Sequence, residues 1–262
     1  MHRRLYIGST KKALPPGVGT CMTMLAEGLA SIVGQRLLGL YLGGSAVMGG
    51  FEPASSDLDF LAVLDGPLTA GDAQAIQKLH DRLRHEVAYG DRLEGDYAPR
   101  EVLLPEGTTE PTPGCWGGRF VPRFEEIMLS ADNLANLLQH GIAFHGPAPG
   151  ELLPHVGPEH VRAAVQSMLE EEPEENVTAA QAASEILNDV RSLRSFQTGA
   201  PCTKDDGAAW ALQHLPPRWH RTIDAALVIR RGAGSAEDEH LVLQDRSMLH
   251  AAALDWLRDL EP

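Results

Sequence analysis

Gly44-Ser45-Ala46-Val47-Met48-Gly49-Gly50-Phe51-Glu52-Pro53-Ala54-Ser55-Ser56-Asp57-Leu58-Asp59, running into the apolar stretch Phe60-Leu61-Ala62-Val63, decides how this chain reads. Immediately before it, Leu37 to Leu42 is short, apolar and broken only by Gly39, the pattern of a buried strand. Asp57 to Asp65 reads as a second strand, and the glycine-rich segment between them as a turn. Side chains alternate along a strand, so Asp57 and Asp59 share a face. Two carboxylates that close repel unless a cation lies between them or one takes up a proton. Hard divalent ions such as Mg²⁺ prefer carboxylate and phosphate oxygens. Gly44 lets the backbone approach a ligand closely, and the Ser45 hydroxyl with nearby N–H groups suits phosphate oxygens. A bare Asp-x-Asp also occurs as an exposed acidic pair flanking a strand, so the specificity lies in the whole string.

Working outward, Leu25, Leu29, Ile32 and Val33 fall at helical spacing after Thr20, a candidate N-cap. Thr69 to Tyr89 predicts a helix with Ile76, Leu79, Leu83 and Val87 on one side. Asp91 to Tyr97 predicts a third strand, on which Glu94 and Asp96 share a face and Asp91 opposes them. Pro105 to Gly118 reads as a long surface loop, and residues 1–19 as a loose lead-in. Prolines at 147, 149, 154 and 158 mark a linker, beyond which the pattern turns wholly helical: 158–171, 177–196, 204–214, 218–231 and 237–260. The acidic run from Glu170 to Glu175 reads as a solvated corner between helices. The fold class is α+β. A small mixed twisted sheet with flanking helices occupies residues 1–154, and a helical bundle residues 155–262.

The chain carries 22 Lys+Arg against 36 Asp+Glu, a formal net charge of −14. Such a chain repels a phosphate backbone, and its basic residues do not cluster, so a nucleic-acid partner is not expected. A small cationic ligand suits it better, although excess carboxylate also serves solubility alone. No apolar stretch approaches the ~20 residues of a membrane helix, and the N-terminus lacks a signal-peptide pattern. Cys21, Cys115 and Cys202 are odd in number and far apart, which points to a reducing, cytoplasmic setting. There is no Walker A motif, GxGxxG or HExxH. The histidines read as core or surface residues, and Ser9-Thr10-Lys11-Lys12 as a chance SxxK. Trp210, Trp219 and Trp256 read as core, and Trp116 as a loop residue near the cleft. A monomer is expected.

The string Gly44-Ser45-x-x-x-Gly49-Gly50, a short polar link and Ser56-Asp57-x-Asp59 before an apolar strand resembles the signature of the polymerase-β-like nucleotidyltransferase superfamily. The resemblance implies two Mg²⁺ ions held by Asp57 and Asp59, and ATP gripped at its triphosphate by Gly44, Ser45 and the adjoining Ser56. It also implies in-line attack of a substrate hydroxyl on the α-phosphorus with pyrophosphate leaving. Such chemistry wants a third carboxylate to take the hydroxyl proton or help hold a metal. Asp91, Glu94 and Asp96 are the candidates. Glu94 sits in Leu-Glu-Gly-x-Tyr, which is similar to the matching strand of antibiotic nucleotidyltransferases, where that glutamate is the general base; Asp91 and Asp96 read equally well as strand-end surface charges.

From about Leu37 to about Arg231, leaving out 98–125, the chain resembles the streptomycin/spectinomycin-type aminoglycoside adenylyltransferases. The resemblance is carried by His140-Gly141-Ile142-Ala143-Phe144-His145-Gly146-Pro147-Ala148-Pro149, by Thr198-Gly199 and Thr203-Lys204-Asp205, and by Ala209-Trp210-Ala211-Leu212 and Leu215-Pro216-Pro217-Arg218-Trp219. It implies that basic residues of the helical domain, here Lys204, Arg218 and Arg231, reach the ATP phosphates. Asp205, Asp206 and Glu185 are candidates to face a cationic ligand, or are helix caps. Two positions depart from streptomycin-modifying members: leucine stands near an expected aromatic in Val190–Phe196, and Ala209 replaces an acid before Trp210. The implied activity is Mg²⁺-dependent transfer of AMP from ATP to a hydroxyl of an aminocyclitol or aminoglycoside, spectinomycin-like rather than streptomycin-like, giving resistance. The alternatives are modification of a protein side chain or a biosynthetic metabolite on the same fold, or a non-catalytic nucleotide-binding module.

Overall fold

In the computed structural model, the residues described are 14–108, 110–123, 129–173 and 175–260. The reading of residues 1–13, including Ser9–Lys12, lies outside them. The chain divides into two compact units. One runs through Phe51 and resumes over Ser56–Val156; the other comprises Glu52–Ser55 and everything from Gly157.

The first unit is built on a six-stranded mixed sheet. In chain order its elements are α1 (Val18–Val33), β1 (Leu37–Leu42), α2 (Gly44–Met48), β2 (Leu58–Leu64), α3 (Ala70–Glu86), β3 (Leu93–Pro99), a small separate hairpin of β4 (Leu103–Leu104) and β5 (Gly107–Thr108), β6 (Gly114–Trp116), β7 (Arg119–Val121), α4 (Ala131–His140), β8 (Ile142–His145) and α5 (Pro149–Leu152). The sheet order is β7-β6-β3-β2-β1-β8, with only β2 and β3 parallel. Alternation splits the strands cleanly. Leu58, Phe60, Ala62 and Leu64 of β2 with Leu93 and Tyr97 of β3 pack on α1 and α3. Leu61, Val63 and Ala98 with Tyr41 of β1 face the opposite side, beneath Leu134 and Leu137 of α4. The α3 cap follows from sequence: Thr69 and Asp72 form a reciprocal capping box, and Arg36 Nη2 donates to Asp72 Oδ2 at 2.7 Å.

Several expectations need correction. Thr20 does not cap α1, which begins at Val18 after Gly17 in the left-handed region. The Gly43–Gly50 turn contains the short helix α2. Asp91 is not on β3; it lies exposed in a 3₁₀ turn, Gly90–Arg92, that ends before the strand starts. The supposed loop over 105–118 supplies β5 and β6, the latter lying between β7 and β3 in the sheet. These strands are two and three residues long, too short to show a period, and prolines lie just outside them. Within the proline-marked linker, Pro149–Leu152 forms α5.

The second unit is helical: α6 (Pro158–Glu170), α7 (Ala179–Thr198), α8 (Lys204–His214), α9 (His220–Arg230) and α10 (Ala236–Leu260). The stretch expected as one helix over 218–231 instead begins with a 3₁₀ turn at Pro217–Trp219, preceded by Pro216, which the following proline keeps extended. Thr178/Gln181 and Thr203/Asp206 form capping boxes on α7 and α8. Trp210 and Trp219 are buried core residues, and Ser55 Oγ donates to the Arg230 carbonyl at 2.8 Å. No helix among the described residues is long and apolar enough to cross a membrane.

Candidate active site

Parallel pairing of β2 and β3 sets Asp59 directly opposite Glu94, at the second residue of each strand. Asp57 precedes β2 by one residue, on the face shared with Asp59. The three carboxylates therefore meet at one end of the strand pair, and the face they occupy becomes apolar core farther along. Their closeness is registered in Glu94. Its carboxyl is pushed from an ordinary 4.5 up to about 8, first by burial and then by the charges of Asp57 and Asp59. A backbone N–H of Gly117 donates to it and opposes the shift.

Two backbone devices hold this arrangement. Gly44 carries φ +62°, and a Cβ there would stand 1.7 Å from Asp59 Oδ2, so the turn after β1 lies directly on that carboxylate. Gly43 N donates to the Asp59 carbonyl at 2.8 Å, and Gly44 N to Asn136 Oδ1 of α4 at 2.7 Å. The second device is the β6–β7 hairpin. Its two-residue turn, Gly117-Gly118, has positive φ at both positions, as a tight hairpin turn requires. Gly118 N bonds the Leu93 carbonyl at 2.9 Å, which carries the Gly117 N–H to Glu94. Behind the hairpin Cys115 is buried, its thiol on the Leu93 carbonyl at 3.1 Å and beside His80 Nδ1 at 3.4 Å; His80 Nε2 meets the Tyr97 hydroxyl at 2.5 Å. Burial holds His80 down at about 4, so this is a neutral structural network.

A cavity of about 110 Å³ opens here, lined by Gly43, Gly44, Asp59, Glu94, Asp96, Trp116 and the α4 residues Asn133 and Asn136, among others. Asn136 and the hairpin glycines are not singled out by the sequence reading. The cap pair Ser130/Asn133 followed by Leu134 and Leu137 could have announced α4, but nothing local marks Asn136 as the acceptor for Gly44. Trp116, half exposed on β6, does line the cavity. Asp96 is not the surface charge entertained above: it is 8% exposed, accepts from Thr112 Oγ1 at 2.9 Å, and burial raises its carboxyl to about 6. Ser45 lies partly exposed in α2, and Ser56 is buried just ahead of Asp57.

Among the described residues, no three His, Cys, Asp or Glu side chains are spaced to hold a metal ion by themselves. Mg²⁺, however, is commonly bound through one or two carboxylates plus substrate phosphates. Asp57 and Asp59 are hard oxygen donors whose charge already presses on Glu94, so the donor chemistry fits that ion.

The other predicted residues lie in the helical unit. Lys204 Nζ donates to Ser184 Oγ at 2.7 Å, Arg218 lies over the Trp219 ring at 4.7 Å, and Arg231 pairs with Asp205 at 2.7 Å. Asp205 also pairs with Arg230, Asp206 caps α8 and pairs with Arg194, and Glu185 pairs with Arg246. The three acids suggested for a cationic ligand are thus already engaged by arginines of their own unit.

Residues 151–254 match the family of aminoglycoside adenylyltransferase C-terminal domains. The match spans most of the helical unit. No curated protein matches the chain. Among solved structures, it is similar to spectinomycin adenyltransferase AAD(9) from Enterococcus faecialis, determined with ATP and spectinomycin. The TM-score is 0.71 at 19% identity, over 92% of this chain and 99% of that one. The α+β architecture is that of this nucleotidyltransferase, and the fold expected from the Gly-Ser/Asp-x-Asp string is borne out.

Proposed function

We propose that this protein transfers AMP from ATP to a hydroxyl of an aminocyclitol or aminoglycoside, with Mg²⁺, and so confers resistance to that drug. The observation that carries the reading is the convergence of Asp57, Asp59 and Glu94 beneath a glycine turn packed on the Asp59 carboxylate. Asp57 and Asp59 would hold Mg²⁺, which when bound offsets the charge of the triphosphate and of the developing transition state. Gly44, Ser45 and the neighbouring Ser56 hold the triphosphate end. Lys204, Arg218 and Arg231 are the helical unit's candidates for the phosphates. Glu94 accepts the proton of the acceptor hydroxyl while its oxygen bonds to the α-phosphorus. The bond from that phosphorus to the bridging oxygen breaks, and pyrophosphate leaves with the electron pair. The raised proton affinity of Glu94 in the metal-free site suits a base poised near neutrality.

Spectinomycin is the favoured acceptor, because the similar enzyme was determined with it and because the leucine and Ala209 departures point away from streptomycin. A reducing, cytosolic setting accords with three buried free thiols. The test is pyrophosphate release from ATP and Mg²⁺ against a panel including spectinomycin and streptomycin. Asp57→Asn and Asp59→Asn should each lower it on the order of a hundredfold or more with the fold intact. Retained activity in either variant defeats the assignment.

A further inference from the structure

Asp96 occupies a place where the fold calls for an apolar side chain. It sits one residue pair deeper than Glu94 on the same face of β3, in register with Leu61 of β2, and that face continues as core through Val63 and Ala98. Asp96 is 8% exposed and lines the cavity that Asp59 and Glu94 line. One of its oxygens, Oδ1, accepts from the hydroxyl of Thr112, itself 4% exposed. Among the described residues, no cationic side chain pairs with the carboxylate, and the side-chain hydrogen bond it receives falls on Oδ1 rather than Oδ2. A carboxylate so buried ordinarily has a charged partner or a full set of donors. Here the cavity is the side from which a further partner can reach it.

We propose that Asp96 is the acceptor-selecting residue of this site, its Oδ2 receiving a protonated primary or secondary amine of the substrate while Glu94 faces the reacting hydroxyl. This deepens the acceptor side of the adenylyl-transfer reading and rests on it for the role of Glu94. The spacing narrows the ligand further. Residues two apart along a strand stand about 7 Å apart, so the amine and the hydroxyl must lie within the span of one substituted six-membered ring. That describes an amino-substituted cyclitol or aminosugar. A neutral polyol would leave the Asp96 carboxylate uncompensated and is selected against.

The test is calorimetric titration of the full chain with spectinomycin, which carries two secondary amines, and with neutral myo-inositol as control. Asp96→Asn keeps an acceptor for Thr112 and removes only the charge. It should weaken spectinomycin binding on the order of tenfold or more, leave ATP binding unchanged and melt no lower than the wild type. Thr112→Val removes the hydroxyl and keeps the charge, and should retain spectinomycin affinity within a few-fold. The proposal is overturned if the wild type does not bind spectinomycin, if Asp96→Asn binds it equally well, or if Thr112→Val loses as much as Asp96→Asn. Loss of drug binding confined to Asp96→Asn, with no pyrophosphate release from any acceptor, would instead overturn adenylyl transfer and leave the amine subsite standing.

Discussion

Glu94→Gln should stabilise this protein while disabling it, and the size of the effect should depend on pH in a defined way. In the folded chain without metal, Glu94 holds its proton up to about pH 8, against an ordinary 4.5. Because the folded state binds that proton more tightly than the unfolded state, stability falls as pH rises between those two values. The loss from this one group is about 1 kcal/mol at pH 5 and about 3 kcal/mol at pH 7. Glutamine has the same shape, still accepts from the Gly117 N–H and carries no charge for Asp57 and Asp59 to repel. In the presence of EDTA the variant should therefore melt higher than the wild type by on the order of 5–10 °C at pH 7, and by much less at pH 5. Added Mg²⁺ should narrow the gap, because a cation among the carboxylates relieves the same repulsion. Pyrophosphate release should fall by roughly 10²–10⁴. Melting followed by circular dichroism at the two pH values decides the matter. Equal melting temperatures for variant and wild type at pH 7 would refute the claim that the three acids crowd one another.

Gly44→Ala places a methyl 1.7 Å from Asp59 Oδ2 at a φ of +62°, so it should cost about 2 kcal/mol or more in urea unfolding and abolish pyrophosphate release together. Asn136→Ala strands the half-buried Gly44 N–H, and should cost about 1 kcal/mol and raise the KM for ATP with little change in that for the acceptor. In the helical unit, His250 Nδ1 lies 3.2 Å from Asp189 Oδ2. The hydrogen bond to Asp189 holds the His250 pKa above 6.5, with Glu185 adding to the effect and Arg246 opposing it, while burial raises the Asp189 carboxyl as well. The pair thus keeps its proton in the folded state. Its stabilisation is complete below pH 6.5 and lost as pH climbs through the raised value, so wild-type melting should fall over that interval and that of His250→Gln should stay flat.

How much could be read in advance depended on whether a segment carried its own pattern. β1 and β2 announce themselves as apolar runs, α3 as a 3.6-residue period behind Thr69, and Glu94 follows once β3 is paired in parallel with β2. The β6–β7 hairpin carries no such pattern. Three-residue strands flanking Gly117-Gly118 gain their order from edge pairing to β3, a contact nearly twenty residues away in sequence that no local period can encode. Asn136 is hidden for the same reason: its partner Gly44 lies on the far side of the fold's sequence, and an asparagine inside α4 looks like any polar helix residue. Asp96 reads as a surface charge from sequence because alternation gives a face but not a depth. Only the register with Leu61 shows that it lies under cover.

The places where this chain departs from the demands of its own sheet fall together. Along the face beneath α4, the strands would be most stable with apolar side chains throughout, as Leu61, Val63 and Ala98 supply. Instead Asp59 and Glu94 oppose each other across the parallel pair, Asp96 follows one step deeper, and Gly44 adopts a left-handed conformation to press on Asp59. Each departure weakens the fold alone, through repulsion, desolvation or backbone strain. Their being confined to one cavity, while the opposite face on α1 and α3 is conventional core, argues that a cationic ligand set rather than solubility accounts for them. Excess surface charge of the kind that gives the chain its −14 could sit anywhere on the exterior. Three carboxylates lining one cavity of about 110 Å³ could not, unless a metal ion or an amine offsets their charge in the working protein.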